Sequence, residues 1–232
     1  MQIQIRSNAL EIRRWLDDAQ KKQIPFATVM AMTQTAKDVA WEEIGVMQRV
    51  FDRPTPYTLN ALQVKPATKA KMIASVEFKE FGGTPAKRFL NPEVYGGPRS
   101  QKSHERQIAP LLKGYSYLVP ARGTALNQFG NVPGATIRRV LSQLRVSPNA
   151  DANASSSKRS KANRRAQAFF VNKQGNMVMQ RKGKLVTPFL VGVKSPNYRK
   201  RFPFHETAEA VVQDRFAVNF EIAFQRAMAT AR

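Results

Sequence analysis

Apolar residues recur every three or four positions through Phe26, Val29, Met30, Thr33, Ala36, Ala40, Trp41, Ile44 and Met47. That rhythm lines one face of an α-helix. Pro25 suits its first turn, and Arg53-Pro54-Thr55-Pro56 ends it, since proline has no N–H to continue the ladder. The predicted helix holds about 25 residues and spans ~37 Å. Its stripe, Trp41 and the methionines included, reads as core packing. A second long amphipathic helix follows from HETAEAVVQDRFAVNFEIAFQRAMATAR, with Ala208, Val211, Val212, Phe216, Phe220, Ala223, Phe224 and Ala227 at helical spacing. His205 or Thr207 stands near its start, and early acids with late arginines suit the helix dipole.

Shorter patterns fill the interval. Ser7 caps a predicted helix through Leu10, Ile12, Trp15, Leu16 and Ala19. Residues 57–64 read as a strand or as a short helix entering one. Met72, Ala74, Val76 and Phe78 alternate with Ile73, Ser75, Glu77 and Lys79, which is the period of a strand. Gly and Pro crowd residues 81–100, so a loop is expected there. HERQIAPLL predicts a short helix, Tyr115–Val119 a strand, and GATIRRVLSQLR a helix after Pro133. The Ser/Asn-rich stretch 147–165 predicts a mobile loop. Residues 168–173 and 177–182 flank Gln174-Gly175-Asn176 as a β-hairpin, and Val186–Val193 extends the sheet despite Pro188. SPNYRKRFPF reads as an exposed basic loop.

The order is that of an α+β chain: a small antiparallel sheet packed by long N-terminal and C-terminal helices, with a basic, loop-rich insertion. A single domain is expected over 1–232, with the insertion at 91–165. The apolar stripe of so long a terminal helix exceeds what a small sheet covers, which points to neighbouring subunits. With 42% hydrophobic and 23% charged residues, the chain has the means to bury a core. Without cysteine it has neither disulfides nor thiolate metal sites. MQIQIRSNALEIRR lacks the apolar core of a signal peptide, and no run reaches the ~18 apolar residues of a membrane span. The expectation is a soluble protein without membrane contact.

Charge alters the picture most. The net is +22, and residues 106–205 hold 19 basic residues against one acid, Asp151. Such a stretch repels itself unless it meets a polyanion or an oppositely charged subunit. The candidate nucleic-acid or partner contacts are Arg138, Arg139, Arg145, Lys158, Arg159, Lys161, Arg164, Arg165, Arg181, Lys182, Lys184, Arg199, Lys200 and Arg201. No helix-turn-helix, zinc-finger or RNP signature accompanies them, so the expected contact is electrostatic and directed at the phosphate backbone.

Catalytic groups do not converge in the sequence. His104 and His205 lack metal-ligand spacing. Asp17-Asp18 and Glu42-Glu43 are neighbours on helices, where adjacent side chains diverge, and read as solvated faces or as partners for basic loops. Glu77 and Glu80 have no third acid nearby, and Gly82-Gly83 and Gly96-Gly97 lack the context of a phosphate loop. Neither an enzyme nor a cofactor is expected.

The succession of VMAMTQTAKDVAWEEI, FDRPTPYTLNAL, MIASVEFKE, AFFVNKQGNMVMQRKGK and VKSPNYRKRFPF before a terminal amphipathic helix resembles tail-completion and head–tail joining proteins of tailed bacteriophages. In particular it resembles the minor tail protein Z family of lambda-like phages, which is related to the broad tail-component family typified by gene ten of phage HK97. The larger middle, about 90–165, departs from that pattern. The resemblance implies a structural virion protein at the head-proximal end of the tail, without catalysis. It implies a homo-oligomeric ring, neck or tail partners (connector, tail terminator or tail tube), and channel DNA nearby. It also implies residence in the virion, and in the host cytoplasm during assembly. A free-standing, sequence-independent nucleic-acid-binding protein is the alternative reading.

Overall fold

The computed structural model describes residues 17, 19–80 and 84–230. The chain is α+β and divides into two compact units, one nested in the sequence of the other. Unit 1 gathers the described residues of 1–51, 56–87 and 202–232; unit 2 gathers 52–55 and 88–201. The stretch 91–165 expected as an insertion lies within unit 2, which also holds the hairpin and its sheet. The helix expected after Ser7 lies mostly outside the described residues.

In unit 1, five residues of π-helix, Ala19–Gln23, lead into α1 (Ile24–Val50). Its buried side carries Ala27, Ala31, Thr35, Val39, Glu43, Val46 and Met47. The strip is offset from the expected stripe, and Trp41 is 76% exposed rather than packed in a core. Small residues win the contact because the partner helix, α7 (Phe204–Ala229), comes in close: Ala223 and Ala227 pack on Ala27 and Ala31. Asn219 Nδ2 donates to Thr35 Oγ1 at 3.0 Å and to Asp38 Oδ2 at 2.8 Å. Late α7 thus meets early α1, and the two helices run antiparallel. A short α2 (Pro56–Leu59) precedes β1 (Leu62–Lys65), which pairs antiparallel with β2 (Ser75–Phe78) from Leu62↔Phe78 to Lys65↔Ser75. The 57–64 stretch is therefore helix first and strand second. Phe202 is fully buried, with ring centroids 5.6 Å from Phe51 and 5.7 Å from Phe204, so the end of SPNYRKRFPF is core and not an exposed loop.

Unit 2 is built on a four-stranded antiparallel sheet, in the order β4 (Tyr117–Pro120), β7 (Leu185–Val193), β6 (Met177–Lys182), β5 (Ala168–Val171). Its core joins Ile108, Leu112, Leu118, Val140, Leu141, Phe169, Val178, Phe189 and Leu190. Pro188 is tolerated because the β6–β7 register shifts between Val178 and Met179. The shift is a bulge, the place in a sheet where a residue without N–H fits. It also lets the consecutive Phe189 and Leu190 both be buried, which a regular strand forbids. Gly175 closes the β5–β6 hairpin at φ 68, and a Cβ there would lie 2.7 Å from Lys113 Cγ.

Two stretches expected as loops contain helices. Lys87–Tyr95 forms α3, with Pro92 inside it; burial of Leu90 and Val94 outweighs the hydrogen bond that proline removes. Within 147–165, Ser157 accepts from the Ser160 N–H and starts α6 (Lys158–Ala166). Between them lie β3 (Gly97–Pro98), α4 (Ser103–Ile108), a 3-10 turn (Ala109–Leu111) and α5 (Gly134–Leu144). A short β8 (Asn197–Tyr198) pairs with β3.

Candidate nucleic-acid interface

All fourteen sequence-predicted cations lie in unit 2, which holds 23 basic residues against four acids. They fall into three groups, and the largest is built around α5 and α6. Val140 and Leu141 bury one side of α5, which leaves Arg138 and Arg139 exposed on the other. Arg145 caps its C-terminus in the left-handed conformation, φ 59, its N–H reaching Leu141 O and Ser142 O. A cation there suits the negative end of the helix dipole.

The polar segment after α5 is folded back onto it by hydrogen bonds. Ser142 Oγ donates to Ala152 O at 2.5 Å, the Ala154 N–H donates to Ser142 O at 2.9 Å, and the Ser147 N–H reaches Asn153 Oδ1 at 3.0 Å. The chain then enters α6, nine residues with five cations and no buried side chain. Lys158, Arg159, Lys161 and Arg165 are exposed; Arg164 is half-buried and donates to Ser155 O at 3.4 Å. Lys161 and Arg165 are one turn apart, where like charges repel, so α6 is held by its neighbours and not by its own sequence.

Two α5 side chains clamp its far end. Arg139 Nη1 donates to Gln167 Oε1 at 2.7 Å, and Gln143 spans the junction, Nε2 to Gln167 O at 2.9 Å and Oε1 from the Phe169 N–H at 2.7 Å. From there β5 pairs with β6, and Ala168 faces Arg181, whose guanidinium lies 5.4 Å from the Phe170 ring centroid. Arg138, Arg139, Arg145, the α6 cations and Arg181 are thus brought together on α5, α6 and the β5–β6 edge. Asp151 is the one carboxylate in the sequence from 106 to 205.

Lys182 and Lys184 form the second group, at the two-residue turn between β6 and β7, where Lys182 pairs with Leu185 across Gly183 and Lys184. Gly183 takes φ 59, as a Gly-first hairpin turn requires. The third group, Arg199, Lys200 and Arg201, follows β8. Here Arg201 has a structural partner: Nε and Nη2 donate to the Glu93 carboxylate at 2.5 and 3.0 Å, and its N–H to Glu93 O at 2.9 Å.

Sequence reasoning missed the acids that anchor this unit. Glu105 is fully buried and accepts from Arg99 Nη1 and Nη2 at 2.7 and 2.5 Å, the Lys102 N–H at 2.7 Å and the Leu118 N–H at 3.0 Å. Burial alone would raise its carboxyl, but the Arg99 guanidinium and the two N–H groups together hold it below its ordinary value. The usual capping signal is absent, since Lys102 at the N-cap offers no side-chain acceptor and only Glu105 supplies its half of the exchange.

The acids of unit 1 occupy other roles. Glu43 is fully buried, where Glu42-Glu43 were expected as a solvated face or as partners for basic loops; neither of its oxygens has a hydrogen-bond partner among the described residues, and its pKa is pushed up to about 8, first by burial and then by Glu42 and Glu206. Glu77 is held by Lys65 and by Ser75 at 2.9 Å, and Glu80 lies 3.7 Å from Lys87. Among the described residues, no group of three or more His, Asp or Glu is placed to hold a metal ion, and no helix is long and apolar enough to cross a membrane. Compared with family models, curated proteins and solved structures, the chain finds no match.

Proposed function

We propose that the chain is a structural virion protein of the phage head–tail junction or head-proximal tail end, and that α5, α6 and the β5–β6 edge face packaged DNA. The observation that carries this reading is the gathering of nine cations, Arg138 to Arg165 and Arg181, on one part of unit 2. Duplex DNA offers one phosphate charge per ~1.7 Å, and cations on such a surface gain affinity by counterion release without reading bases. A neck ring that DNA passes through needs that kind of contact, because a base-specific one would stall the genome. The resemblance in element order to tail-completion proteins supplies the location, and connector, terminator or tube proteins are the partners it implies.

A free-standing nucleic-acid-binding protein would share the same surface and differ in where it acts. Two measurements separate the readings. Titration of duplex DNA of random sequence across a salt series is expected to give a steep log–log slope with no sequence preference. Disruption of the gene is expected to give filled heads that fail to join tails. Normal infectious particles from the disrupted genome, together with tight DNA binding by the purified chain, would transfer the proposal to the free-standing alternative.

A further inference from the structure

The helix pair of unit 1 carries an acid-rimmed apolar groove. Trp41, Val211, Val218 and Ile222 line a cavity of about 610 Å³ between α1 and α7. Trp41 is 76%, Val218 51% and Ile222 43% exposed. Three acids stand at the groove, Asp38, Glu42 and Asp214, against two cations, Arg215 in its lining and the Arg49 that pairs with Glu42. The helices themselves hold seven acids and four basic residues in a chain whose net charge is +22. Asp38 is fixed by Asn219, Glu42 by Arg49 at 2.8 Å, and Asp214 by Arg215 at 3.0 Å, so the acids are held in place at the rim. Exposed tryptophan beside aliphatic side chains in a groove is the composition of a contact centre, not of a solvated face.

The chain also carries a shape of opposite character. The β6–β7 turn projects Lys182 and Lys184 beside Leu185, 64% exposed, and Val186, 39% exposed. Two cations flanking two aliphatic side chains complement an apolar groove rimmed by acids. A hairpin tip is narrow enough to enter between two helices, and its backbone is fixed by the β6–β7 ladder from Met177↔Val191 to Lys182↔Leu185, so little order is lost on binding.

We infer that the α1–α7 groove receives the β6–β7 turn of a second copy of this chain, Leu185 and Val186 against Trp41, Val218 and Ile222, and Lys182 and Lys184 against Asp38, Glu42 and Asp214. The contact joins two different surfaces, so every copy retains one free groove and one free tip. It propagates, and closes as a ring where the rotation permits. Lys182 and Lys184 then belong to the subunit contact and leave the DNA set. This assignment stands on the two surfaces alone and does not depend on the head–tail reading.

The test uses the full chain and two charge-reversed variants, Lys182→Glu/Lys184→Glu at the tip and Glu42→Lys/Asp214→Lys at the groove. Light scattering after gel filtration should show the wild type rising with concentration above its 26.1 kDa monomer mass, and less so in 1 M salt. Each variant alone should stay at monomer mass. An equimolar mixture should associate again, to at least twice that mass, since the intact groove of one variant meets the intact tip of the other and the reversed tip and reversed groove also carry opposite charges. Trp41→Ala and Leu185→Ser, both at exposed positions, should each weaken self-association at least tenfold without loss of helicity. A wild type that stays monomeric at every concentration overturns the inference. So do variants that each keep the wild-type mass, or a mixture that fails to pair.

Discussion

Arg201 and Glu93 are 108 residues apart in sequence and joined by two side-chain hydrogen bonds and a backbone one. Glu93 is 7% exposed, so that guanidinium is the partner of a carboxylate largely shut off from water. Arg201→Ala is expected to destabilise the protein by about 1–3 kcal/mol, the cost of leaving a buried carboxylate unpaired, while the salt slope of DNA binding stays at the wild-type value. Chemical denaturation and DNA titration on one variant check both.

The α6 cations should behave in the opposite way. Lys158→Gln, Arg159→Gln, Lys161→Gln and Arg165→Gln are each expected to change stability by less than about 0.5 kcal/mol, as exposed positions do. Each should reduce the slope of log affinity against log salt by about 0.9 where the residue meets a phosphate. Because like charges crowd α6, the four changes combined should leave the helix intact or firmer, as read by amide exchange over Lys158–Ala166.

Much of this frame is legible in the sequence, and the misses share a cause. Long helices with strong periodicity, and strands bounded by turn residues, announce themselves: α1, α7, the β5–β6 hairpin and β7 all stand where pattern places them. The face a helix buries is harder. Alanines at 27, 31, 223 and 227 take the α1–α7 contact, while Trp41 and Phe216 stay outside, because close helix approach favours small residues over large ones. Composition also misreads short helices: α6 has no apolar stripe and is fixed by Ser157 and by the Arg139–Gln167 and Gln143 bonds. The candidate cations are visible as charge, but nothing in their spacing separates Arg201, held by an acid over a hundred residues away, from Arg138, which points to solvent.

Glu43 predicts a pH dependence. Its folded pKa of about 8 exceeds the ordinary 4.5, so the folded state holds a proton that the unfolded state releases. Stability from this group is complete below about pH 4.5 and declines as pH rises towards 8, by on the order of 5 kcal/mol. Glu43→Gln should remove that decline and raise stability at pH 8, measured as the denaturation midpoint across pH. A wild-type midpoint unaffected by pH from 5 to 8, and unaffected by the substitution, would exclude this role.

Gly192 is set by close approach. A Cβ there would lie 2.8 Å from Tyr115 Cβ and 2.9 Å from Asn176 O, the acceptor of the Gly192 N–H. Gly192→Ala should lower stability by about 1–3 kcal/mol by forcing β7 off its neighbours, while Gly97→Ala meets no atom within 4 Å and suffers only its backbone, φ 90. Thermal melts of the two variants distinguish steric from conformational cost.

We propose that this chain is a structural part of the particle, with its basic unit turned to DNA. Cryo-electron microscopy of virions assembled from the genome that encodes it tests this most directly. Density for the chain is expected at the head–tail junction or the head-proximal tail end, with α5 and α6 lining the channel. Complete particles without this chain, or with it present and α6 turned to the outer solvent away from DNA, would contradict it.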